Sequence, residues 1–256
     1  MQINHKFQSP NFGPRPDDVQ IDMLLLHYTG MKTGQEALER LCDPAAQVSA
    51  HYLIEEDGRI FQMVAEENRA WHAGLGSWQG QGDINSCSIG IEIVNPGHEW
   101  GYRSFPEQQM RAVINLCKDI LARNKIPAHR VLAHSDVAPE RKEDPGELFD
   151  WKQLAKEAIG IYPKDTLRDS PCDAPCDDPG RDLRENAVNE GNFLQKLENF
   201  GYQIDHTTPH APLTIAAIIA FQRHFRPDKL DGVIDNECCL ILSKLHSQLD
   251  AHNNPT

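Results

Sequence analysis

The sequence has little positive charge for its length. Its 256 residues include 25 Lys and Arg against 38 Asp and Glu, which gives a formal net charge of −13. Proteins that bind nucleic acid or anionic membranes usually present a basic surface that replaces the counterions of the phosphates. No run of five or more Lys and Arg residues forms such a patch here. We therefore expect neither nucleic acid nor an anionic membrane surface as a partner.

Long hydrophobic runs are also missing. The longest, at residues 23–26 and 215–221, fall far short of the roughly 18 apolar residues that span a bilayer. The first ten residues hold one lysine and no apolar core of a secretory signal, and the seven cysteines are odd in number. From the chain as written we expect no transmembrane segment and a cytoplasmic location. The alternative is the periplasm or the outer-membrane face, if a signal was trimmed.

The first 160 residues mix strand-like and helical patterns. Apolar runs typical of buried strands occupy residues 22–27, 89–94 and 130–134. Helical spacing of apolar residues occupies 35–42, 106–125 and 148–159. Asp57-Gly58 predicts a tight hairpin turn between two further strands, at 51–55 and 59–64. This alternation predicts an α/β domain over residues 1–160.

The remainder of the chain is different in composition. Residues 161–184 are rich in proline and aspartate, which predicts an extended linker, and Cys172 and Cys176 lie within it. Residues 185–256 predict a small three-helix domain, with helices at 186–200, 213–225 and 236–249. That segment contains no cluster of acids and bases. We therefore expect it to be a binding or structural unit.

Three residues at the ends of predicted strands are candidate metal ligands. His27 ends one apolar run, His134 ends another, and Asp144 follows in the next loop. Catalytic zinc takes three protein ligands, commonly histidine nitrogen and carboxylate oxygen, and keeps one position open. The count is right, but spacing alone leaves a structural role for each histidine open. A cysteine hydrolase based on Cys87 is disfavoured, since no neighbour in the sequence would lower its pKa.

Residues 134–146, His-Ser-Asp-Val-Ala-Pro-Glu-Arg-Lys-Glu-Asp-Pro-Gly, resemble the zinc-binding signature of the type 2 N-acetylmuramoyl-L-alanine amidases. Four further stretches resemble the same family in the same order. They are Leu26-His27-Tyr28-Thr29 and residues 48–52, 70–74 and 88–93. The resemblance covers about residues 9–160. It implies the fold that this family shares with peptidoglycan recognition proteins, a mixed central sheet flanked by helices.

The resemblance also implies roles for particular residues. His27, His134 and Asp144 match the ligands of one Zn²⁺ per chain. Glu92 matches the catalytic glutamate, which takes a proton from the attacking water and passes it to the leaving amine. Lys142 matches a cation near the metal that stabilises the developing oxyanion. Without the resemblance, Glu92 would be interpreted as a strand-edge carboxylate facing solvent.

Three more residues are predicted substrate contacts. Trp71 and His72 belong to a stretch that borders the substrate groove in this family, and Asn85 is a candidate for recognising the sugar or a peptide amide. Alternatively, Trp71 packs in the core and His72 lies on the surface. Related phage enzymes have a tyrosine one residue before the His51 position, where this chain has Ala50. A mechanism that needs that phenol therefore does not transfer, and proton transfer depends on Glu92.

The C-terminal segment has a resemblance of its own. Residues 220–225 and 230–235 resemble the core of the peptidoglycan-binding type 1 module, with a longer loop at 226–229. Alternatively, Phe221 and Phe225 are simply core residues.

Together these patterns predict a zinc hydrolase that cleaves the amide between the lactyl group of N-acetylmuramic acid and L-alanine of the stem peptide. Its expected partners are peptidoglycan or muropeptides, with no obligate protein partner. The alternative is a non-catalytic peptidoglycan-binding or sensing protein on the same fold. That alternative is disfavoured because the zinc ligands and the glutamate are all present.

Overall fold

A computed structural model describes residues 1–163, 189–208 and 210–253. The predicted linker with Cys172 and Cys176 lies almost entirely outside the described residues. The strands are β1 (Ile3–Asn4), β2 (Phe12–Pro14), β3 (Met23–Tyr28), β4 (Tyr52–Ile54), β5 (Ile60–Gln62), β6 (Asn68–Ala70), β7 (Ser88–Ile93) and β8 (Val131–Ala133). The α-helices are α1 (Gly34–Cys42), α2 (Ile84–Cys87), α3 (Gly97–Trp100), α4 (Glu107–Arg123), α5 (His134–Val137), α6 (Trp151–Lys156), α7 (Glu190–Phe200), α8 (Pro212–Phe225) and α9 (Asn236–Asn253).

Six strands form one mixed sheet in the order β1-β5-β4-β7-β3-β8. The pairs β4–β7, β7–β3 and β3–β8 are parallel, and β4–β5 is the antiparallel hairpin expected around Gly58. Gly58 has a φ of +82°, a conformation that glycine adopts without steric cost. The strands β2 and β6 form a separate antiparallel pair. The predicted mixed sheet flanked by helices is confirmed.

The interior strand β3 is buried on both faces. Leu24 and Leu26 belong to one hydrophobic cluster, whereas Met23 and Leu25 belong to another. A strand covered on both faces has a continuous apolar sequence rather than an alternating one. Because side chains alternate along a strand, His27 continues the Met23 and Leu25 face.

The Leu24 and Leu26 face is covered by α4 and α6. The predicted apolar stripe of α4 is buried there, including Val113, Cys117 and Ile120. The helix predicted over 148–159 is shorter in the structure, where α6 begins at Trp151. Asp150 caps it by accepting a hydrogen bond from the Gln153 backbone N–H, which sets the first turn later than apolar spacing suggested.

On the opposite face of the sheet, α1 packs against β4 and β5, whereas β3 and β8 share a core with the C-terminal helices α7, α8 and α9. These helices and the described residues between them are called here the helical unit. Their buried residues belong to the same hydrophobic cluster as Met23 and Leu25. Trp78, from the first 160 residues, packs edge-on against Phe200 and Tyr202 of the helical unit. The three predicted helices are therefore present, and they share a core with the sheet. The domain boundaries stay a prediction.

Within the described residues, no helix is both long enough and apolar enough to cross a membrane.

Candidate active site

Two histidines and one aspartate converge at the ends of the neighbouring strands β3 and β8. His27 is near the end of β3, His134 begins α5 directly after β8, and Asp144 lies in the loop that follows α5. The Nδ1 atoms of His27 and His134 are 2.9 Å apart, and each lies 3.0 Å from Asp144 Oδ2. All three residues are buried. The structure therefore brings together the three ligands that the sequence predicted.

The second nitrogen of each histidine has its own partner. His134 Nε2 lies 2.8 Å from the carbonyl oxygen of Ala73, to which it donates a hydrogen bond when Nδ1 is free of a proton. His27 Nε2 lies 3.1 Å from His72 Nδ1, and His72 Nε2 lies 3.2 Å from Ser88 Oγ. Such contacts set the tautomer of a metal-binding histidine and orient its ring. Both Nδ1 atoms are thereby left available as ligands.

The protonation states of His27 and Asp144 favour the binding of a cation. Burial, and to a smaller degree the neighbouring His134 ring, lowers the pKa of His27 to about 4, so this imidazole is neutral at pH 7. Burial alone would raise the pKa of Asp144, but contacts with His134 and His27 outweigh it and hold that pKa well below its usual range. Neutral imidazole and ionised carboxylate are the forms that bind metal ions.

Glu92 stands beside this cluster on β7, where its backbone pairs with that of His27 on β3. Its Oε2 atom is buried and makes no hydrogen bond to the described residues. Burial raises the pKa of Glu92 well above its usual range, and the charge of Asp144 adds to the effect while Lys142 opposes it. The fold therefore does not support the alternative interpretation of Glu92 as a strand-edge carboxylate that faces solvent.

The cluster and Glu92 lie in a cleft of about 700 Å³. Lys142 and Trp71 line the same cleft, as do His72 and Arg40. Lys142 is close enough to affect the pKa values of both His27 and Glu92. The cleft thus contains the predicted base, the predicted cation and the two predicted groove residues.

The loop that contains Trp71 and His72 is held in place by hydrogen bonds to the buried residue Asn85. Asn85 Oδ1 accepts hydrogen bonds from the backbone N–H groups of His72 and Ala73, at 3.0 and 2.8 Å. Asn85 is buried and is not among the residues that line the cleft. It therefore positions the loop, and a direct contact between Asn85 and substrate stays a prediction that this geometry does not favour.

His72 is placed deeper than a groove residue needs to be. Its ring lies over Gly90 of β7, where a Cβ atom would collide with it. The ring bridges His27 and Ser88, so His72 also supports a ligand of the cluster. The alternative of a surface His72 does not fit this position, since the residue is half-buried and both ring nitrogens have partners in the fold.

His51 does not touch the cluster. Its Nδ1 accepts a hydrogen bond from the backbone N–H of Gly90, and its Nε2 lies 3.1 Å from the Asn68 carbonyl oxygen. The fold gives it the role of a hydrogen-bonded core histidine. Cys87 is buried and its pKa is raised by burial, which agrees with the prediction against a cysteine nucleophile.

Sequence reasoning missed the contribution of the helical unit to the cleft. Ala216, Ile219 and Arg223 of α8 line it together with residues 139–144. Their spacing places them on one face of α8, which is the signal that could have found them. The Ser88 hydroxyl was also missed, because a serine at the start of a strand has no distinctive pattern.

The donor set fits a zinc ion. Ligand atoms bound to tetrahedral zinc at about 2.0–2.1 Å stand roughly 3.3 Å apart. The three candidate ligand atoms here are 2.9–3.0 Å from one another, and both histidines have partners for the remaining nitrogen. Three convergent candidate ligands, beside a glutamate whose buried Oε2 has no partner among the described residues, match the architecture of a metal-dependent hydrolase.

Comparison with known proteins identifies the family. The family model for N-acetylmuramoyl-L-alanine amidase matches residues 17–147, and the chain belongs to this amidase family. The chain is 38% identical over 239 residues to the N-acetylmuramoyl-L-alanine amidase AmiD of Escherichia coli, covering 88% of this chain and 82% of the relative. It is 34% identical over 166 residues to the 1,6-anhydro-N-acetylmuramyl-L-alanine amidase AmpD of Haemophilus influenzae, covering 58% of this chain and 88% of that one.

Solved structures agree with this assignment. The Escherichia coli AmiD complex with anhydro-N-acetylmuramic acid-L-Ala-D-gamma-Glu-L-Lys has a TM-score of 0.75 and 34% identity, covering 91% of this chain and 92% of that chain. AmpDH3 from Pseudomonas aeruginosa has a TM-score of 0.78 and 32% identity, covering 90% and 93%. Both likenesses extend well beyond the first 160 residues. The predicted class of enzyme, an N-acetylmuramoyl-L-alanine amidase, is confirmed.

Proposed function

We propose that this protein uses one Zn²⁺ per chain to hydrolyse the amide between the lactyl group of N-acetylmuramic acid and L-alanine of the peptidoglycan stem peptide. One observation carries the proposal. The ligand atoms of His27, His134 and Asp144 converge within 3.0 Å of one another, in a cleft that also contains Glu92. The relatives named above include a complex with an anhydromuramyl peptide, which supports small muropeptides as substrates.

His27, His134 and Asp144 would hold the metal. Bound Zn²⁺ supplies Lewis-acid polarisation and lowers the pKa of a bound water towards about 7. The partners of these residues keep the ligand atoms in place, so little reorganisation accompanies catalysis. Ala73 orients the His134 ring through its carbonyl oxygen, and His72 orients the His27 ring.

Glu92 moves the proton. Its Oε2 has no competing hydrogen bond among the described residues and is free to accept a proton from the attacking water. A bound dication would favour the ionised carboxylate, which offsets the rise in pKa that burial causes. The protonated acid can then donate to the departing nitrogen of L-alanine, since an amine leaves more readily than an amide anion.

Lys142 stabilises negative charge that develops on the carbonyl oxygen. Its ammonium group lines the cleft, and its charge reaches both His27 and Glu92. A fixed positive charge in a partly desolvated site stabilises an oxyanion more strongly than the same charge in water. Trp71 and His72, which line the same cleft, would border the bound substrate.

The test is the Glu92→Gln variant, which keeps the shape of the side chain but removes its basicity. We expect one zinc per chain, measured by elemental analysis, and peptide release from anhydromuropeptides lowered by about 10²- to 10⁴-fold. The matched control is Glu107→Gln, the same change at an exposed residue of α4, with unchanged release expected. Near-normal turnover by Glu92→Gln would remove Glu92 from the mechanism. Binding of muropeptide by the zinc-loaded wild type without any turnover would overturn the amidase proposal.

A further inference from the structure

Arg223 of α8 reaches the cleft from the helical unit. It lines the cleft with Ala216 and Ile219, together with residues 139–144 of the loop that ends in Asp144. Met23 and Leu25, on the face of β3 that ends in His27, share a hydrophobic core with the helical unit. The helical unit therefore contributes to the wall of the cleft that contains His27, His134 and Asp144.

The position of Arg223 is set by buried contacts of its neighbour His224 and of the helix α5. The neighbouring His224 places Nδ1 2.7 Å from Asp136 Oδ2, and Tyr202 donates its hydroxyl hydrogen to Asp136 Oδ1 at 2.6 Å. The His224 ring also stacks on Trp151, with centroids 3.9 Å apart. Asp136 lies in α5, the helix that begins at His134. These contacts anchor α8 to the same short helix that provides a candidate metal ligand.

The guanidinium of Arg223 lacks a strong partner. The residue is only 9% exposed, and its buried Nε atom has no hydrogen-bond partner among the described residues. Its nearest carboxylate oxygen, Glu147 Oε2, lies 3.7 Å from Nε, beyond hydrogen-bond range. Glu147 Oε2 instead lies 3.1 Å from His98 Nε2. A buried guanidinium nitrogen without a hydrogen bond raises the free energy of the folded protein. An anion in the cleft that accepts a hydrogen bond from Arg223 would remove this cost.

Other cations of the cleft are less suited to this task. Arg141 is engaged with the backbone carbonyl oxygens of Ala73 and Leu75. Arg40 also lines the cleft but is exposed, so water and salt screen its charge. Arg223 alone among these three arginines combines burial with unused donors.

We propose that Arg223 binds a carboxylate of the substrate's peptide and makes the helical unit part of the substrate site. A γ-linked glutamyl residue, such as the one in the ligand of the AmiD complex, keeps its α-carboxylate free two residues from the scissile amide. The planar guanidinium fits a carboxylate through two parallel hydrogen bonds. This inference rests on the proposed amidase function and specifies which chemical group of the substrate the protein selects.

The experiment compares two anhydromuramyl tripeptides that differ at one group. One carries the free α-carboxylate on its γ-linked glutamyl residue, and the other carries the α-amide. With the zinc-loaded wild type we expect kcat/KM to be about tenfold higher for the carboxylate, mainly through a lower KM. With Arg223→Gln we expect the ratio to fall to about one. Arg40→Gln makes the same change in the same cleft and is expected to keep the wild-type ratio.

Each outcome decides the proposal. Equal kcat/KM values for the two peptides with the wild type overturn the proposal without any variant. The test therefore does not depend on the folding of Arg223→Gln. The proposal is also overturned if Arg223→Gln keeps the wild-type ratio of kcat/KM values, or if Arg40→Gln lowers that ratio to one. Arg223→Lys retains the charge and is expected to retain part of the preference. Failure of the wild type to cleave either peptide counts instead against the amidase function, so the two failures are distinguishable.

Discussion

Glu92 on β7 pairs in register with His27 on the adjacent parallel strand β3. Paired residues of parallel neighbours point to the same face of the sheet, so two interior strands hold the proposed base and a proposed zinc ligand side by side. The pairing extends over six residues on each strand, from Met23 with Ser88 to Tyr28 with Ile93. The relative position of the two groups is therefore a property of the sheet rather than of a loop.

Replacing His72 by Phe is expected to weaken zinc binding. The change keeps a ring of similar shape but removes the acceptor 3.1 Å from His27 Nε2. Loss of such a supporting contact typically costs about 10- to 100-fold in metal affinity. Competition with a chromogenic chelator measures the effect, and His206→Phe, at an exposed histidine of the helical unit, is the control. Unchanged zinc affinity together with a raised KM would assign His72 to the substrate alone.

Replacing Lys142 by Met is expected to slow the chemical step. Removing one charge that stabilises an oxyanion lowers kcat by about 10²-fold or more, with a smaller change in KM. Steady-state kinetics on an anhydromuropeptide separates the two constants, and zinc content should stay at one per chain. The control is Lys118→Met, which removes an exposed lysine that pairs with Glu157. A change confined to KM would show that Lys142 binds substrate and does not stabilise the transition state.

Replacing Tyr202 by Phe is expected to loosen the helical unit from the sheet. The hydroxyl donates to Asp136 in a buried site, and a hydrogen bond to a charged group contributes about 1.5–3 kcal/mol. Urea unfolding of Tyr202→Phe measures the loss in the free energy of unfolding. In an Asp136→Ala background the same change should cost less than about 0.5 kcal/mol, because the acceptor is already absent. Equal costs in both backgrounds would mean that Tyr202 acts through packing alone.

The stability of the protein is expected to fall on acidification, partly through His51. Burial, together with the charge of Arg15, lowers the pKa of His51 to about 3 in the folded protein. Below its unfolded pKa of about 6.5 the unfolded chain takes up a proton that the folded chain does not, so the free energy of unfolding falls. The contribution is about 1.4 kcal/mol per pH unit and ends near pH 3, where the folded state is protonated too.

Urea unfolding between pH 7 and pH 4 tests this contribution. His51→Gln should show a shallower pH dependence than the wild type, even though the variant is less stable overall. His5→Gln changes an exposed histidine and should keep the wild-type slope. An identical slope in His51→Gln and the wild type would contradict the assignment.

Local patterns were enough to predict much of this protein. The apolar runs of β3, β7 and β8, the Asp57-Gly58 hairpin and the apolar stripe of α4 depend on neighbours within a few residues, and the structure confirms them. The ordered motifs predicted the amidase family and the residues of the metal cluster. The zinc ion itself, the domain boundaries and the cellular compartment stay predictions.

What the tertiary structure decided are relationships between distant segments. No pattern in the sequence places Arg223 in a cleft with Asp144, pairs Asp136 with Tyr202 and His224, or sets His72 against His27. Apolar periodicity shows which face of a helix is buried but not which partner covers it. The sequence by itself therefore determined the elements and the chemistry of this amidase. The packing of the helical unit on the His27 face of the sheet decided which residues share its cleft, because that depends on a hydrophobic core built from both ends of the chain.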